Sequence, residues 1–117
     1  MEQTVLVCGG RDYMDEEKAF AILDTAHAAN PIIKLIHGAA AGADMLAAMW
    51  AAKRNVQTEA FPADWDHHGK AAGPIRNRKM LDEGKPDLVI AFPGGRGTRN
   101  MIEQANGANV PVAIVRK

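Results

Sequence analysis

Apolar residues along the chain gather in consecutive runs of strand length, at residues 4–8, 31–36, 56–61, 87–92 and 110–115. Runs that are apolar at successive rather than alternating positions mark strands buried on both faces. Between them lie helix-length segments rich in Ala, Leu, Met, Glu and Lys, at residues 15–29, 43–53, 71–83 and 99–108. These are good helix formers. In the first segment Phe20, Ile22, Leu23 and Ala26 make an apolar stripe, and Asp15, Glu16 and Glu17 put negative charge where the helix dipole favours it. Pro31 breaks that helix, Gly84, Lys85 and Pro86 stop the third, and Gly107 and Pro111 bracket the exit from the fourth.

Strand followed by helix about four times over, closed by a strand, implies right-handed crossovers and a parallel sheet covered on both faces. The expected fold class is α/β: a single Rossmann-like three-layer sandwich over residues 1–117 with a mostly parallel sheet of about five strands. A length of 117 residues suits one domain of that kind. Only the connection at residues 62–73 is long, and long connections in compact domains are disproportionately functional.

Composition narrows the function classes. Lys plus Arg number 14 and Asp plus Glu number 14, so the chain lacks the positive excess of duplex-coating or anionic-membrane proteins. No apolar run approaches the roughly 18 residues of a membrane span. The lone cysteine, Cys8, cannot close an internal disulfide and reads as a small buried apolar residue. With no secretory signal pattern at the N-terminus, a reducing, cytoplasmic location is expected.

Ligands of open parallel sheets bind at the carboxyl ends of the strands. Three of those ends are glycine-rich: Gly9, Gly10 and Arg11 after the first, Gly38, Gly42 and Asp44 after the second, and Gly94, Gly95, Gly97 and Thr98 after the fourth. Such glycines permit positive φ and close backbone approach, and the helix N-termini that follow offer unpaired N–H groups to an anion. Together they point to a phosphate-bearing ligand. Neither G-x-G-x-x-G nor the P-loop pattern occurs, so dinucleotide dehydrogenases and P-loop NTPases drop out. Residues 59–117 carry 9 basic and 7 acidic side chains against 5 and 7 in residues 1–58, with Arg76, Arg78, Lys79, Arg96 and Arg99 beside the expected site. Arginine forks suit phosphate oxygens.

In the long connection Trp65 either stacks on a base or caps the core. Asp64, Asp66, His67 and His68 show no recognised metal spacing, so no metal and no cofactor is expected. His27 reads as surface. His37 either donates to a ligand or serves the fold, and Asp44 accepts from a ribose hydroxyl or caps its helix.

The joint set of residues 7–13, 37–44, 61–65, 73–80 and 92–98 resembles the SLOG superfamily, within it the small YspA-like branch related to YpsA. The resemblance implies a domain that binds a nucleotide or nucleotide-derived ligand, commonly as a homodimer; the apolar helix residues Met45, Met49, Trp50, Met80 and Met101 are the expected source of a dimer surface. A related SLOG branch, the LOG-type phosphoribohydrolases, pairs Arg-Lys with Pro-Gly-Gly-x-Gly-Thr-x-x-Glu and splits the N-glycosidic bond of nucleoside monophosphates. Arg78-Lys79 and residues 93–98 are similar to that pattern, which implies Arg78 as a charged partner of the ligand. Met101 stands where the catalytic glutamate would be, and Glu103 lies about 200° further around a helix at ~100° per residue. Ala39 and Ala41 replace a glycine and, commonly, an arginine. The leading expectation is therefore ligand binding or sensing. The alternatives are a nucleotide N-glycosidase using Asp12, Asp64 or Asp66, with the catalytic residue unknown, and single-stranded DNA binding as in DprA relatives. The last is disfavoured for want of basic and aromatic interleaving.

Overall fold

The computed structural model describes residues 1–117. In chain order the elements are β1 (Gln3–Cys8), α1 (Glu16–Ala29), β2 (Ile32–His37), α2 (Ala43–Lys53), β3 (Gln57–Ala60), α3 (Trp65–His68), a 3₁₀ turn (Gly69–Ala71), α4 (Ala72–Gly84), β4 (Leu88–Ala91), α5 (Arg96–Gly107) and β5 (Val112–Ile114). The strands form one sheet in the order β3-β2-β1-β4-β5, and every neighbouring pair is parallel. The α/β sandwich read from the hydrophobic pattern is borne out.

The central strands explain the consecutive apolar runs. Val5 and Val7 of β1, with Ile90 and Phe92 at β4, pack on one face against Ala19 and Leu23 of α1 and Leu46, Ala47 and Trp50 of α2. Leu6 and Cys8, with Val89 and Ala91, pack on the other against Met80 and Leu81 of α4 and Met101 and Ala105 of α5. The edge strands differ from expectation. Gln57, Thr58 and Ala60 of β3 and Ala113 and Ile114 of β5 are exposed, because an edge strand has a neighbour on one side only and the helices sit over the centre. β3 is tied to β2 by a Lys34–Glu59 ion pair at 2.5 Å.

Polar side chains close the joints. The Asp15 carboxylate accepts from the Lys18 amide at 3.1 Å and starts α1. Gln3 Nε2 donates to the carbonyls of Ala26 and Asn30, satisfying the last turn of α1. His27, expected on the surface, is half-buried: its Nδ1 accepts from the Ile32 amide at 2.9 Å and its ring stands edge-on to Trp50. Trp50, Met80 and Met101 are core residues, so of the apolar helix residues expected outside only Met45 and Met49 are exposed. The long connection is mostly helical turns, with Asp64 capping α3 through the His67 amide at 3.1 Å. Helix α5 starts at Arg96, earlier than the sequence pattern suggested, which brings Thr98 into its first turn. No helix is long and apolar enough to cross a membrane.

The chain runs from β1 outward through β2 to β3 on one side, then crosses back from β3 to β4 on the other side of β1 and out to β5. The sheet therefore has its topological switch point at the carboxyl ends of β1 and β4.

Candidate functional site

At that switch point three loops meet backbone to backbone. The Gly10 amide donates to the Pro93 carbonyl at 2.8 Å, and the Gly10 carbonyl accepts from the Ala43 amide, the first of α2, at 3.1 Å. Two glycines make the meeting possible. Gly42 has φ 75°, and a Cβ there would run into the Gly10 carbonyl and the backbone of Arg11. A Cβ on Gly94 would run into the Thr98 hydroxyl and the Gly10 amide. Gly95 and Gly97 are different. Neither has a positive φ, and a Cβ on either would project into open space. The positive φ allowed for at these turns is thus used at Gly9 and Gly42, not in the loop before α5.

The meeting of loops leaves a cleft of about 300 Å³. One wall is the first turn of α5. The amides of Arg96, Gly97 and Thr98 have no backbone acceptor, the cap residue Gly95 offers no side chain, and only the Arg99 amide closes back, onto the Gly95 carbonyl at 3.0 Å. All three residues line the cleft. Asn77 steadies this turn from α4: its Nδ2 donates to the Gly97 carbonyl at 3.2 Å and to Asn100 Oδ1 at 3.1 Å.

Asp44 forms the floor, 6% exposed. Its Oδ2 accepts from the amides of Gly38 at 3.1 Å and Ala40 at 3.2 Å, which shapes the loop after β2. It does not cap α2, whose cap is Gly42. Its Oδ1 has no partner within the chain and is open to the cleft. Burial pushes the carboxyl up to about 6, against the opposing pull of the Ala40 amide, Arg76, the Gly38 amide and Arg11. Burial likewise pushes the neighbouring Cys8 thiol up to about 12, so the sulfur is an unreactive part of the floor.

Three arginines surround the opening: Arg11, Arg76 and Arg96. Arg76 lies across the loop after β2, where Gly38 leaves it room, and its Nη1 donates to the Gly38 carbonyl at 2.7 Å. Burial lowers its pKa while Asp44 opposes the change. Arg78 is not brought to the cleft. On the outer face of α4, two residues and about 200° round the helix from Arg76, it pairs with Asp82 at 3.0 Å and its side chain is 70% exposed. The Arg-Lys resemblance thus gives way to Arg76 and Asn77 on the inner face. Trp65 does not cap the core; it is 47% exposed at the mouth, with Arg11 Cζ 5.4 Å from its ring centroid. His37 is structural, its Nδ1 accepting from the Ala39 amide at 3.0 Å, and burial lowers its pKa.

The carboxylates weighed as replacements for a catalytic glutamate lie elsewhere. Asp12 faces a second hollow beyond Gly10, Asp64 caps α3, and Asp66 is exposed. Met101 is fully buried in the core and Glu103 faces solvent.

Residues 3–68 match the family described as YAcAr, the YspA, cpYpsA-related SLOG family. The chain is 39% identical over 116 residues to the Gene 61 protein of Mycobacterium phage D29, covering 92% of each. Among solved structures it is similar to UDP-GlcNAc 2-epimerase from Neisseria meningitidis bound to UDP-GlcNAc. The TM-score is 0.57 at 17% identity, over 98% of this chain and 32% of that one. The chain spans about a third of that larger structure, and the likeness is one of fold.

Proposed function

The chain belongs to the YAcAr family of YspA, cpYpsA-related SLOG proteins, and from that premise we propose that it binds a phosphorylated nucleotide or nucleotide derivative at the carboxyl edge of its sheet. The observation that carries this reading is the uncapped first turn of α5. Its three free amides and the Thr98 side chain border a cleft that also holds Arg11, Arg76 and Arg96. A phosphate satisfies orphan amides, gains from the helix dipole and is neutralised by guanidinium groups. Asp44 Oδ1 is the acceptor suited to a ribose hydroxyl. Gly95 and Gly97 leave the approach to the amides open.

Binding rather than turnover is the leading role. Glycosidic hydrolysis passes through an oxocarbenium-like transition state and calls for a carboxylate beside the anomeric carbon. The position of the LOG-type glutamate holds Met101, sealed in the core. One observation favours the enzymatic alternative: Asp44, with its free oxygen and raised pKa, has the protonation range of a general acid or base. Two assays separate the readings. Calorimetry with adenosine 5′-monophosphate and the other nucleoside monophosphates is expected to give saturable binding; absence of binding across that panel overturns the site. Release of free base is expected to be undetectable, and steady release at about 1 s⁻¹ or faster would assign the cleft to a hydrolase with Asp44 as its carboxylate. We further propose that the protein is a homodimer through the outer face of α2, where Met45 and Met49 are exposed one turn apart.

A further inference from the structure

Beside the phosphate cleft, away from the hollow that Asp12 faces, lies another of about 280 Å³, enclosed by the loop after β2 and the start of the long connection. Its lining mixes the apolar Ala39, Ala40, Ala41, Pro62, Ala63 and Trp65 with the polar Arg11, Arg76 and the Gly38 backbone. Arg11, Ala40, Trp65 and Arg76 line both spaces, so the two are continuous. We propose that this hollow is a base-binding slot in which a planar nucleobase stacks against Trp65 and the alanine loop while the phosphate of the same ligand sits at α5. The inference rests on the proposed phosphate site and adds to it where the base is held, at Trp65 and the loop after β2, and which bases are favoured there.

Three observations bear on the slot independently of the phosphate. Trp65 is nearly half exposed although it is the largest apolar side chain of its segment, and α3 holds it at the mouth rather than in the core. Exposed tryptophan beside a partly apolar hollow is a stacking platform, since every base has a π-face to offer it. Arg11, 5.4 Å from the ring centroid, orients the ring and links the two halves of the site. Ala39 holds φ 60°, a left-handed conformation that alanine adopts at a cost and glycine adopts freely. With that backbone the loop keeps a methyl-lined surface along the slot. The Ala39 and Ala40 amides are already engaged by His37 and Asp44. With those amides occupied, what remains is methyl and ring surface together with Arg11 and Arg76, which are donors only, so recognition there depends on stacked area more than on an edge pattern that alternates donors and acceptors. Purines, with the larger face, then bind more tightly than pyrimidines.

The test compares two probes that share a phosphoribose, adenosine 5′-monophosphate and ribose 5-phosphate, by calorimetry. A base slot gives the nucleotide an affinity at least about tenfold higher, the lower end of what base–aromatic stacking supplies. Trp65→Ala removes that advantage and costs the nucleotide more affinity than ribose 5-phosphate, its ring also bordering the phosphate cleft. Ala41→Leu, at an exposed position that lines the slot and not the cleft, removes the advantage by filling the slot and leaves ribose 5-phosphate binding unchanged. Nucleotide binding also changes the fluorescence of Trp65, while Trp50, fully buried, supplies a constant background. Equal affinity for the two probes overturns the slot and leaves the phosphate site standing. Equal losses for both probes in Trp65→Ala also overturn it, since the ring then serves only to shape the phosphate cleft. If neither probe binds, the phosphate site falls and the slot with it.

Discussion

Replacing Asp44 by asparagine should make the protein more stable and a poorer binder at the same time. The side-chain oxygen of asparagine can still accept from the Gly38 and Ala40 amides, so the loop after β2 keeps the two bonds that shape it. What disappears is the charge. Folding raises the Asp44 pKa from 3.8 to about 6, and burial is the main cause. Because the native state holds this proton more tightly than the unfolded chain does, the group favours folding most below pH 3.8. That contribution is lost as pH rises through about 6, and above it the ionised carboxylate is a net cost. A shift of about 2 units at 1.36 kcal/mol each puts the cost near 3 kcal/mol, an upper figure because the asparagine NH₂ replaces Oδ1 imperfectly. Urea denaturation of both proteins from pH 4 to pH 7.5 measures it. The stability difference in favour of Asp44→Asn should grow by about 2–3 kcal/mol across that range, the parent alone carrying the slope. Ligand affinity should move the other way: exchanging a charged acceptor for a donor at Oδ1 costs about 1.5–3 kcal/mol, or roughly 10- to 100-fold for adenosine 5′-monophosphate. A stability difference that stays flat with pH would show that Asp44 is not held in a desolvated site, and unaltered nucleotide affinity would show that Oδ1 does not face the ligand.

Gly42→Ala, which meets both a positive φ and the Gly10 carbonyl, should lower stability by several kcal/mol in thermal unfolding, whereas Gly95→Val should unfold like the parent and fail to bind nucleotide. A Gly95→Val protein that binds normally would move the phosphate away from α5. Arg96→Ala should weaken adenosine 5′-monophosphate about tenfold or more, and Arg78→Ala should leave it within about twofold, because Arg78 pairs with Asp82 outside the cleft; calorimetry in which Arg78 matters more than Arg96 would restore the Arg-Lys reading. In sedimentation the parent should exceed 12.6 kDa at micromolar concentration and the double substitution of Met45 and Met49 by glutamate should return it to that mass; a parent that stays at 12.6 kDa refutes the α2 dimer.

The architecture was legible because its strongest term is burial. Strands β1 and β4 lie between two layers of helix, and the unbroken apolar runs at residues 5–8 and 88–92 are the direct consequence; β2, next to the edge, keeps Lys34 in its run. At the edges that reasoning overreached. Residues 56–61 and 110–115 hold enough apolar side chains to look like core strands, yet only Phe61 among them is fully enclosed, and it follows β3 rather than belonging to it. A run of apolar residues records that a segment touches the core; it does not record on how many sides. The enclosure of His27 escapes the hydrophobic pattern for a related reason. Its ring nitrogen finds the Ile32 amide only once the chain has turned back after Pro31, a pairing that helical periodicity cannot express.

For the site, one error could have been avoided and another could not. Buried Ala72, Gly73, Asn77, Met80 and Leu81 define the inner face of α4, and Arg76 stands four residues from both Ala72 and Met80 on its margin. At about 100° per residue, Arg78 turns away from that face. That phase is present in the sequence, whereas a linear match to an Arg-Lys pair carries no information about which face of a helix the pair occupies. The glycines pose the harder problem. Gly42 and Gly94 are required because backbones cross there, while Gly95 and Gly97 leave open the space that a ligand would enter. Nothing local in the sequence separates the two kinds, because the difference lies in which loop crosses which. Where the donors are main-chain amides, as in the first turn of α5, the sequence records only permission. Trp65 and Asp44, the side chains proposed to meet the base and the ribose, stand far apart along the chain and line one cleft only when the sheet brings their loops together.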